Sequence, residues 1–333
     1  MNETRRAVLD ALADGPLPGP ALADSLDVSR AAIWKHVEAL RDAGFEIESG
    51  PDGYALASVD TYSGPAIEYG LDAPFSVEFH ETIDSTNARA RKLAADGAED
   101  VVVVADEQTG GRGRLDREWA SPPGGVWLSI VCRPDVPPAH APLFTLAAAV
   151  ATADAARELG VDARIKWPND VVVEADAEHG YRKLAGILTE MEGETDRISW
   201  IVPGIGVNAD LDADRLPEGA TSLREERQRS AGDGEHDGSK AEPSSTHAEI
   251  DRRVFVQRLL ERFDEARRDL DAVVDRWRDR SLTLGRDVRV ETASGPVEGR
   301  AVDVTDLGAL VVDTDDGRVT VTAGDCEHLR PAQ

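Results

Sequence analysis

Residues 108–119 read Gln108-Thr-Gly-Gly-Arg-Gly-Arg-Leu-Asp-Arg-Glu-Trp119 and follow a run of apolar, mostly β-branched residues at 101–105. This order predicts a buried strand that opens into a glycine-rich loop. The glycines let the backbone approach a ligand closely, and planar guanidinium groups match phosphate and carboxylate oxygens. The stretch therefore predicts an anion-binding loop, while its composition also suits a solvated loop that pairs with neighbouring carboxylates. Its three arginines are Arg112, Arg114 and Arg117.

Four further motifs place polar groups at the ends of predicted strands and helices. They are Asp84-Ser-Thr-Asn87, Lys166-Trp-Pro-Asn-Asp170, Arg182-Lys-Leu-Ala-Gly-Ile-Leu-Thr-Glu190 and Ile201-Val-Pro-Gly-Ile-Gly-Val-Asn208. Plain structural interpretations exist for each, such as a helix N-cap at Ser85 or a lysine that reaches solvent. The spacing Gly204-x-Gly206-x-x-Ala209 imitates a dinucleotide fingerprint. No long amphipathic helix follows it, so we reject that interpretation.

Charge and composition exclude several classes of protein. The 333 residues include 37 Lys and Arg against 64 Asp and Glu, a formal net charge of −27 at pH 7. Hydrophobic residues make up 41% of the chain, which excludes a wholly disordered protein, and the length suggests two or three domains. We expect a cytoplasmic protein without a membrane partner, because the sequence shows neither a secretory signal nor an apolar run near the roughly 20 residues that span a bilayer. Two cysteines without a CxxC motif indicate neither a disulfide framework nor a zinc site.

The acidic residues are spread over every segment, and lysine is rare. Such a surface suits a salt-rich cytoplasm, where screening shortens the reach of self-repulsion, so we expect a halophile. A merely acidic protein is the alternative. Where lysine is avoided in general, each remaining lysine is a better candidate for a local role. The five lysines are Lys35, Lys92, Lys166, Lys183 and Lys240.

Residues 1–58 predict a winged helix-turn-helix domain that binds DNA. Apolar residues recur at helical spacing in 3–13, in 18–26 and in a third run that Ser29 caps. A Gly-Pro-Asp-Gly turn at 50–53 then predicts a hairpin. The third helix would enter the major groove, although a net acidic domain could instead bind protein or only pack. The candidate DNA contacts are Ser29, Arg30, Trp34, Lys35 and His36.

After a polar linker at 57–64, residues 65–280 alternate between strand-like and helix-like runs, which predicts an α+β domain. Within it, residues 225–249 contain no Val, Ile, Leu, Met or aromatic residue, so we expect a disordered acidic insertion there. Residues 281–330 alternate apolar and polar side chains in short runs, which predicts a small β-barrel. The strand-like runs are 76–81, 101–106, 126–132, 165–167, 171–174, 184–192 and 198–207, and the helical ones are 85–95, 142–159 and 250–278.

Taken in order, these motifs resemble those of the biotin–protein ligases. The matching residues are Asp84-Ser-Thr-Asn87, Gly111-Arg-Gly-Arg114, Trp119, Lys166-Trp-Pro-Asn-Asp170, Lys183-Leu-Ala-Gly-Ile-Leu188 and Gly204-Ile-Gly-Val-Asn208. With Ser29-Arg-Ala-Ala-Ile-Trp-Lys35 in front, nearly the whole chain resembles the bifunctional ligases that also repress the biotin operon. One departure is Asp116, where the family usually has glycine, and residues 225–249 are extra.

The resemblance implies a catalytic domain related to class II aminoacyl-tRNA synthetases and an SH3-like C-terminal barrel. It implies two steps: biotin and ATP give biotinyl-5′-AMP and diphosphate, and a lysine of a carboxylase's carrier domain then displaces AMP. Mg²⁺ is expected with ATP, although the sequence reveals no ligand set for it. Operator DNA of biotin genes and an adenylate-linked homodimer are also implied.

The resemblance also implies roles for individual residues. Lys183 and Arg114 are expected to act in catalysis, because both steps place negative charge on carboxylate and phosphate oxygens. The implied biotin contacts are Ser85, Thr86, Asn87, Gln108, Arg112, Gly113, Arg114 and Lys183. The implied ATP and adenylate contacts are Gly111, Arg112, Gly113, Arg114, Arg117, Trp119, Lys166, Asn169, Asp170 and Asn208.

Two alternative functions remain open on the sequence. Lipoate–protein ligases share the implied fold, and a DNA-binding biotin sensor without catalysis would need only to bind its ligand. The arginine-rich loop and Lys183 favour chemistry, because a sensor does not need charges aimed at a phosphoryl group. Formation of biotinyl- or lipoyl-adenylate from labelled substrates would separate the three.

Overall fold

The computed structural model describes residues 1–175, 180–232 and 249–329, and the chain divides into two compact units, Met1–Asp72 and Ala73–Gln333. The boundary follows Asp72 rather than the polar segment at 57–64. Residues beyond that segment still belong to the first unit, because Ala66 joins its hydrophobic core and Tyr69 packs edge-on against Phe45, with 5.8 Å between ring centroids.

The first unit contains three helices followed by an antiparallel hairpin, the order that the sequence predicts. The Ser29 hydroxyl accepts a hydrogen bond from Ala32 N at 3.1 Å, which makes it the N-cap of the third helix. The face of that helix formed by Ile33, Val37 and Leu40 is buried in the core. The elements are α1 (Glu3–Ala13), α2 (Gly19–Ser25), α3 (Arg30–Asp42), β1 (Glu46–Gly50), β2 (Gly53–Ser58) and α4 (Gly64–Glu68).

A seven-stranded sheet forms the centre of the second unit, and every strand-like run predicted between residues 76 and 207 is a strand. The strands are β3 (Ser76–Ile83), β4 (Val101–Gln108), β5 (Val126–Val131), β6 (Ala163–Lys166), β7 (Asp170–Glu174), β8 (Tyr181–Gly193) and β9 (Ile198–Val207). Their order in the sheet is β3-β4-β5-β9-β8-β7-β6, with β3 and β4 parallel and the other pairs antiparallel.

Both faces of the centre of this sheet are covered, which explains why strands such as β4 and β5 contain continuous apolar runs. Val103 packs in a cluster with Ala90 and Ala94 of one helix, while Val102 and Val104, which point to the opposite face, are also fully buried. The helices of the second unit are α5 (Thr86–Ala95), α6 (Ala141–Glu158), α7 (Leu223–Gly232), α8 (Arg252–Arg268) and α9 (Leu270–Arg280).

The single long helix predicted at 250–278 is wrong, because the structure has two helices, α8 and α9. The chain leaves helical geometry at Asp269 (φ −137°, ψ 76°), whose carboxylate accepts a hydrogen bond from Ala272 N at 3.1 Å. Aspartate offers the backbone this alternative partner and so favours a helix start over a helix interior. The apolar stripe continues across the break, since Phe263 and Trp277 are both buried.

The disordered insertion predicted at 225–249 is also wrong for residues 225–232, which belong to α7. Glu226 in this helix is only 6% exposed. Its carboxylate accepts hydrogen bonds from Arg182, 44 residues away in sequence, so this charged pair holds the helix together with the buried Leu223 at its start. The remainder of the predicted insertion, 233–248, lies outside the described residues.

A five-stranded antiparallel sheet follows α9 and contains the alternating segment predicted at 281–330. The inward side chains of its strands, including Val288, Val290 and Val312, are fully buried. Its strands are β10 (Asp287–Thr292), β11 (Gly295–Val304), β12 (Leu310–Thr314), β13 (Gly317–Val321) and β14 (Asp325–His328). Among the described residues, no helix is both long and apolar enough to cross a membrane.

Candidate active site

A cavity of about 790 Å³ opens on the seven-stranded sheet and gathers residues from almost every motif that the sequence singled out. The predicted site residues that line it are Ser85, Thr86, Asn87, Gln108, Arg112, Gly113, Arg114, Arg117, Trp119, Asn169, Asp170, Lys183 and Asn208. Gly111 and Lys166 are not among the lining residues, although both belong to predicted motifs. Tertiary structure therefore converts separate motifs into one site.

Glycines in β8 and β9 form the floor of the cavity. A Cβ atom on Gly204 would lie 1.9 Å from Asn87 Oδ1, and one on Gly206 would lie 2.6 Å from Trp119 Nε1. These glycines let two cavity side chains rest directly on the sheet. Gly204 and Gly206 lie inside strand β9, so the dinucleotide fingerprint is a coincidence of spacing, as the sequence analysis concluded.

One wall of the cavity is a connected set of neutral polar groups. Thr86 donates to Gln108 Oε1 from its backbone N at 2.8 Å and from its hydroxyl at 3.0 Å. Gln108 Nε2 donates to Ser121 Oγ at 3.0 Å, and Ser129 Oγ donates to Asn87 Oδ1 at 2.5 Å. These bonds fix the orientation of each amide and hydroxyl, which suits a neutral ligand group that both donates and accepts hydrogen bonds.

Sequence reasoning missed Ser129, which is fully buried and holds Asn87. The signal was available, because Ser129 is the one polar residue in the strand Val-Trp-Leu-Ser-Ile-Val at 126–131, and buried polar groups need partners. It also missed Glu190, whose carboxylate accepts from Asn87 Nδ2 at 2.9 Å. Ser85 lines the cavity and is also the helix N-cap that the sequence suggested, because its hydroxyl accepts a hydrogen bond from Ala88 N at 3.3 Å.

The arginine loop, residues 108–121, folds back on itself as an irregular hairpin. Gln108 N donates to Ser121 O at 3.0 Å, and Trp119 N donates to Gly111 O at 3.0 Å. At its tip Leu115 adopts a left-handed backbone conformation (φ 57°) with its side chain 73% exposed. The side chain of Asp116 lies outside the described part of the structure.

The three arginines of the loop have different partners. Arg114 donates to Asn169 Oδ1 at 3.0 Å and to Gly324 O at 2.8 Å. Arg117 is ion-paired with Asp325. Arg112 lines the cavity and has no partner among the side chains that the structure describes. Of the two interpretations of this loop, pairing with a neighbouring carboxylate applies to Arg117. Arg112 is available to an anionic ligand.

Asp325 of β14 contacts the tip of this loop. Burial has the largest effect on its pKa and raises it, but the hydrogen bond and charge of Arg117, with the charges of Lys166 and Arg114, bring the pKa below its ordinary value. Asp325 is thus held in its charged form, so Arg117 has a permanent counterion. This pair fixes the arginine loop to the five-stranded sheet.

Asp170 lies between two lysines. Lys183 Nζ is 2.7 Å from Asp170 Oδ1 and 5.0 Å from the centre of the Trp119 ring, a cation–π distance. Lys166 Nζ is 3.7 Å from Asp170 Oδ2, and the residue is only 5% exposed. Burial, the largest effect, lowers the pKa of Lys166, but Asp170 and neighbouring groups outweigh it and the pKa is raised. Lys183 lines the cavity, whereas Lys166 is buried on the other side of Asp170.

The second wall of the cavity, residues 217–232, was not predicted to belong to the site. Pro217 and Ala220 line the cavity. Lys183 N donates to Gly219 O at 2.8 Å, and Thr221 N donates to Lys183 O at 2.9 Å. The second wall therefore holds the backbone of the cavity lysine.

Three segments of the chain match models of known protein families. Residues 4–55 match a family model described as an HTH domain, 79–208 match the biotin/lipoate A/B protein ligase family, and 283–329 match the biotin protein ligase C terminal domain. The bifunctional ligase/repressor BirA of Bacillus subtilis (strain 168) is 33% identical over 324 residues, which cover 93% of each chain.

The chain belongs to the biotin protein ligase family. A biotin--[acetyl-CoA-carboxylase] ligase of Mycobacterium tuberculosis is 35% identical over 266 residues, which cover 74% of this chain and 86% of that one. The fold is also similar to that of the biotin protein ligase from Aquifex aeolicus solved with biotin and ATP. The TM-score is 0.59 at 24% identity, over 77% of this chain and 99% of that chain. Family membership makes this protein a ligase and an enzyme.

The ligase carries a segment that matches an HTH domain, and α3 within it exposes the candidate DNA contacts. Trp34 is 56% exposed. Ser29, Arg30 and Lys35 are also exposed, while His36 is half-buried. The buried face of α3 carries its apolar stripe, so these polar and aromatic side chains share the outer face of the helix.

Proposed function

We propose that this protein forms biotinyl-5′-AMP from biotin and ATP and transfers the biotinyl group to a lysine of the carboxyl carrier domain of a carboxylase. The observation that carries the proposal is the position of Lys183. Its ammonium group lies in the cavity over Trp119, in the same cavity as the polar wall and the arginine loop. A cation there can contact a ligand carboxylate that meets a phosphate.

The polar wall suits the ureido group of biotin. Thr86, Asn87 and Gln108 offer donors and acceptors whose directions are fixed by Ser121 and Ser129. The dithiolane ring of lipoate has no comparable hydrogen-bonding groups, so it would cover this polar wall without forming a hydrogen bond to it. The wall therefore favours biotin over lipoate.

In the first step a biotin carboxylate oxygen forms a bond to the α-phosphorus of ATP, and the bond to diphosphate breaks. Both reactants are anionic, so they repel each other as they approach. The ammonium of Lys183 and the guanidinium of Arg112 reduce this repulsion and stabilise the charge that develops on the oxygens. Arg114, held by Asn169 and Gly324, is a third donor already fixed in direction.

In the second step the neutral amine of the carrier lysine attacks the acyl carbon of the adenylate. The bond to AMP breaks with its electron pair, and the amine loses a proton. The same cations stabilise the departing phosphate group. Trp119 covers the floor glycines and can shield the reactive anhydride from water.

We propose that Mg²⁺ accompanies the ATP phosphates and neutralises part of their charge. Within the described ranges, no three His, Cys, Asp or Glu side chains are grouped to hold a metal ion. The residues therefore do not form a resident metal site, and no step is assigned to the ion.

The function is tested by mixing the protein with ATP and either labelled biotin or labelled lipoate, then separating the adenylates. We expect biotinyl-5′-AMP, followed by biotinylation of an added carrier domain at its target lysine. Lipoyl-adenylate alone would establish the lipoate ligase alternative. Tight biotin binding without any adenylate would establish the non-catalytic sensor.

We further propose that the first unit is a winged helix-turn-helix that represses biotin genes as an adenylate-linked homodimer. The exposed residues Arg30, Trp34 and Lys35 on α3 support contact with operator DNA in the major groove. Arg41 is excluded from that role, because its guanidinium donates to Ile47 O at 2.8 Å and 2.6 Å in the hairpin.

Removal of residues 1–72 should abolish binding to the promoter of the biotin genes and leave adenylate formation intact. Gel shifts of the full chain with biotin and ATP should weaken as salt is added, because phosphate contacts release counterions. Absence of a shift at every salt concentration would contradict the repressor proposal.

The architecture supports two finer assignments, a catalytic domain of the class II synthetase type and an SH3-like C-terminal sheet. We also propose a halophilic source. Arginine supplies nearly all the side-chain cations of the ion pairs at the surface, among them Arg258, Arg262 and Arg289, and the excess of acidic residues needs screening. A thermal unfolding midpoint that rises steadily with KCl into the molar range would support this.

A further inference from the structure

Glu226 is a buried carboxylate in α7, a helix whose one large apolar residue is its first, Leu223. Arg182 binds it with two parallel hydrogen bonds, Nε to Oε1 at 3.1 Å and Nη2 to Oε2 at 3.2 Å. The hydroxyl of Thr221 and the guanidinium of Arg229 also donate to Oε1. Such a pairing is directional as well as charged, so it fixes α7 against β8.

The groups that Glu226 binds flank Lys183 on both sides. Arg182 precedes it in β8, and Thr221 donates its backbone N–H to Lys183 O at 2.9 Å. On the other edge, pairing with β7 is irregular: Val171 is opposite Ala185, but Val172 is opposite Lys183, which leaves Leu184 as an extra residue. A bulge of this kind re-aims neighbouring side chains. The position of Lys183 therefore depends on the second wall.

We propose that Glu226 is a positioning residue for Lys183. It clamps Arg182 and Thr221, and so keeps residues 219–221 paired with the Lys183 backbone and the ammonium group aimed into the cavity. Only the expected effect of Glu226 on catalysis rests on the proposed function. The geometry that it predicts can be measured on the enzyme without substrates.

The first test measures the reactivity of lysine amines in the intact protein. Wild type, Glu226→Ala, Glu226→Gln and the control Glu225→Ala are acetylated briefly, and each lysine is quantified by mass spectrometry. Glu225 is the matched control, because it shares the partner Arg229 with Glu226, whereas the hydrogen bonds from Arg182 and Thr221 go to Glu226. Acetylation of Lys183 should rise roughly threefold or more in Glu226→Ala, as expected for an easier local opening. Lys35 and Lys92 should not change in any variant.

Glu226→Gln is included in case Glu226→Ala does not fold, because the glutamine amide keeps the size of the glutamate side chain and part of its hydrogen bonding. It should give a smaller rise at Lys183 than Glu226→Ala. Unchanged acetylation of Lys183 would overturn the proposal. An equal rise in acetylation at every lysine would also overturn it, because a purely structural residue would produce that result.

The second test asks whether Glu226 acts through Lys183. Glu226→Ala should lower kcat for adenylate formation by roughly 10- to 100-fold, as a small displacement of a catalytic group does, with less change in KM for biotin. In a Lys183→Ala background the same substitution should cause no further loss, because residues that act as a unit are not additive. A full additional loss would overturn the proposal. If wild type forms no adenylate, the proposed function fails, and lysine reactivity alone decides the role of Glu226.

Discussion

The arginine loop and the second wall both contain several arginines and both contribute to the same cavity, the second wall through Pro217 and Ala220, yet only the loop was recognised from the sequence. In the loop the sequence signal for anion binding is local, because closely spaced glycines and arginines predict an anion site from a few residues. In the second wall the decisive residue is Glu226, whose partner Arg182 is 44 residues away. A charged segment that lacks large apolar residues can therefore be ordered by charged partners far away in the sequence. Its composition alone does not predict disorder.

The two regions meet at Lys183. The loop supplies Trp119, whose ring lies 5.0 Å below the ammonium group. The second wall supplies the backbone partners Gly219 and Thr221. One region thus contacts the end of the side chain and the other holds its base, so variants can separate the two contributions.

The largest effect is expected from Lys183→Ala, which removes the group that both regions serve. Adenylate formation should fall on the order of 10²-fold or more, because the ammonium stabilises developing charge. Lys92→Ala is the matched control, since Lys92 is exposed on α5. Adenylate formation is measured with labelled biotin and ATP. Equal rates for the two variants would remove Lys183 from the site.

A pair of deletions tests the second wall directly. Replacing residues 226–248 with a short Gly/Ser bridge removes Glu226 and should lower biotin transfer roughly tenfold or more. Replacing only 233–248 should leave transfer nearly unchanged, because that stretch contains no Val, Ile, Leu, Met or aromatic residue. Biotinylation of a carrier domain is followed in both. Equal activity of the two deletions would show that the wall is dispensable.

Arg114→Gly tests the arginine loop. Loss of a charge-assisted donor should speed release of biotinyl-5′-AMP roughly tenfold, while Arg112 still allows synthesis at lower efficiency. Released anhydride should react with stray lysines, so bystander proteins become biotinylated. Arg318→Gly is the control, because Arg318 lies on β13, is 72% exposed and pairs with Asp313. An unchanged dissociation rate for Arg114→Gly would mean that this arginine only supports Asn169 and Gly324.

The smallest effect is expected for alkylation of the two cysteine thiols in the native protein. Burial raises the pKa of Cys326, in β14 beside the arginine loop, to about 11, and that of Cys132 to about 12. Neither thiolate is populated near neutral pH, so neither should react with iodoacetamide in the native protein, and both should react once it is unfolded. Cys326 should stay protected in Arg114→Gly if only the loop moves. Alkylation of Cys326 there, with Cys132 protected, would mean that the loop covers the sheet edge.

Much of the fold could be predicted because its signals repeat over short distances. Alternating residues predict strands such as β10, and continuous apolar runs such as Val126–Val131 predict strands covered on both faces. The break at Asp269 could not be predicted in the same way, because the apolar stripe of α8 continues into α9. The capping bond to Ala272 N decides it.

The membership of the site could also be predicted in large part, since the motifs converge on one cavity. Lys166 is the instructive exception. In sequence it resembles Lys183, a lone lysine beside an apolar strand, but its ammonium is buried behind Asp170. Which of two similar lysines faces the ligand depends on how β6, β7 and β8 pair, and their register is not encoded in either motif.

Local patterns were enough to establish the order of the domains, the strands, the arginine loop and the resemblance to biotin–protein ligases, because helix and strand periods and glycine spacing act over a few residues. The folded chain had to supply everything that depends on pairs of distant atoms. It left Arg112 available while Arg114 and Arg117 gained partners, placed Asp170 between two lysines, and buried Glu226 against Arg182. The physical reason is that the energy of a charge is set by its burial and its neighbours, and neither exists until the strands have come together.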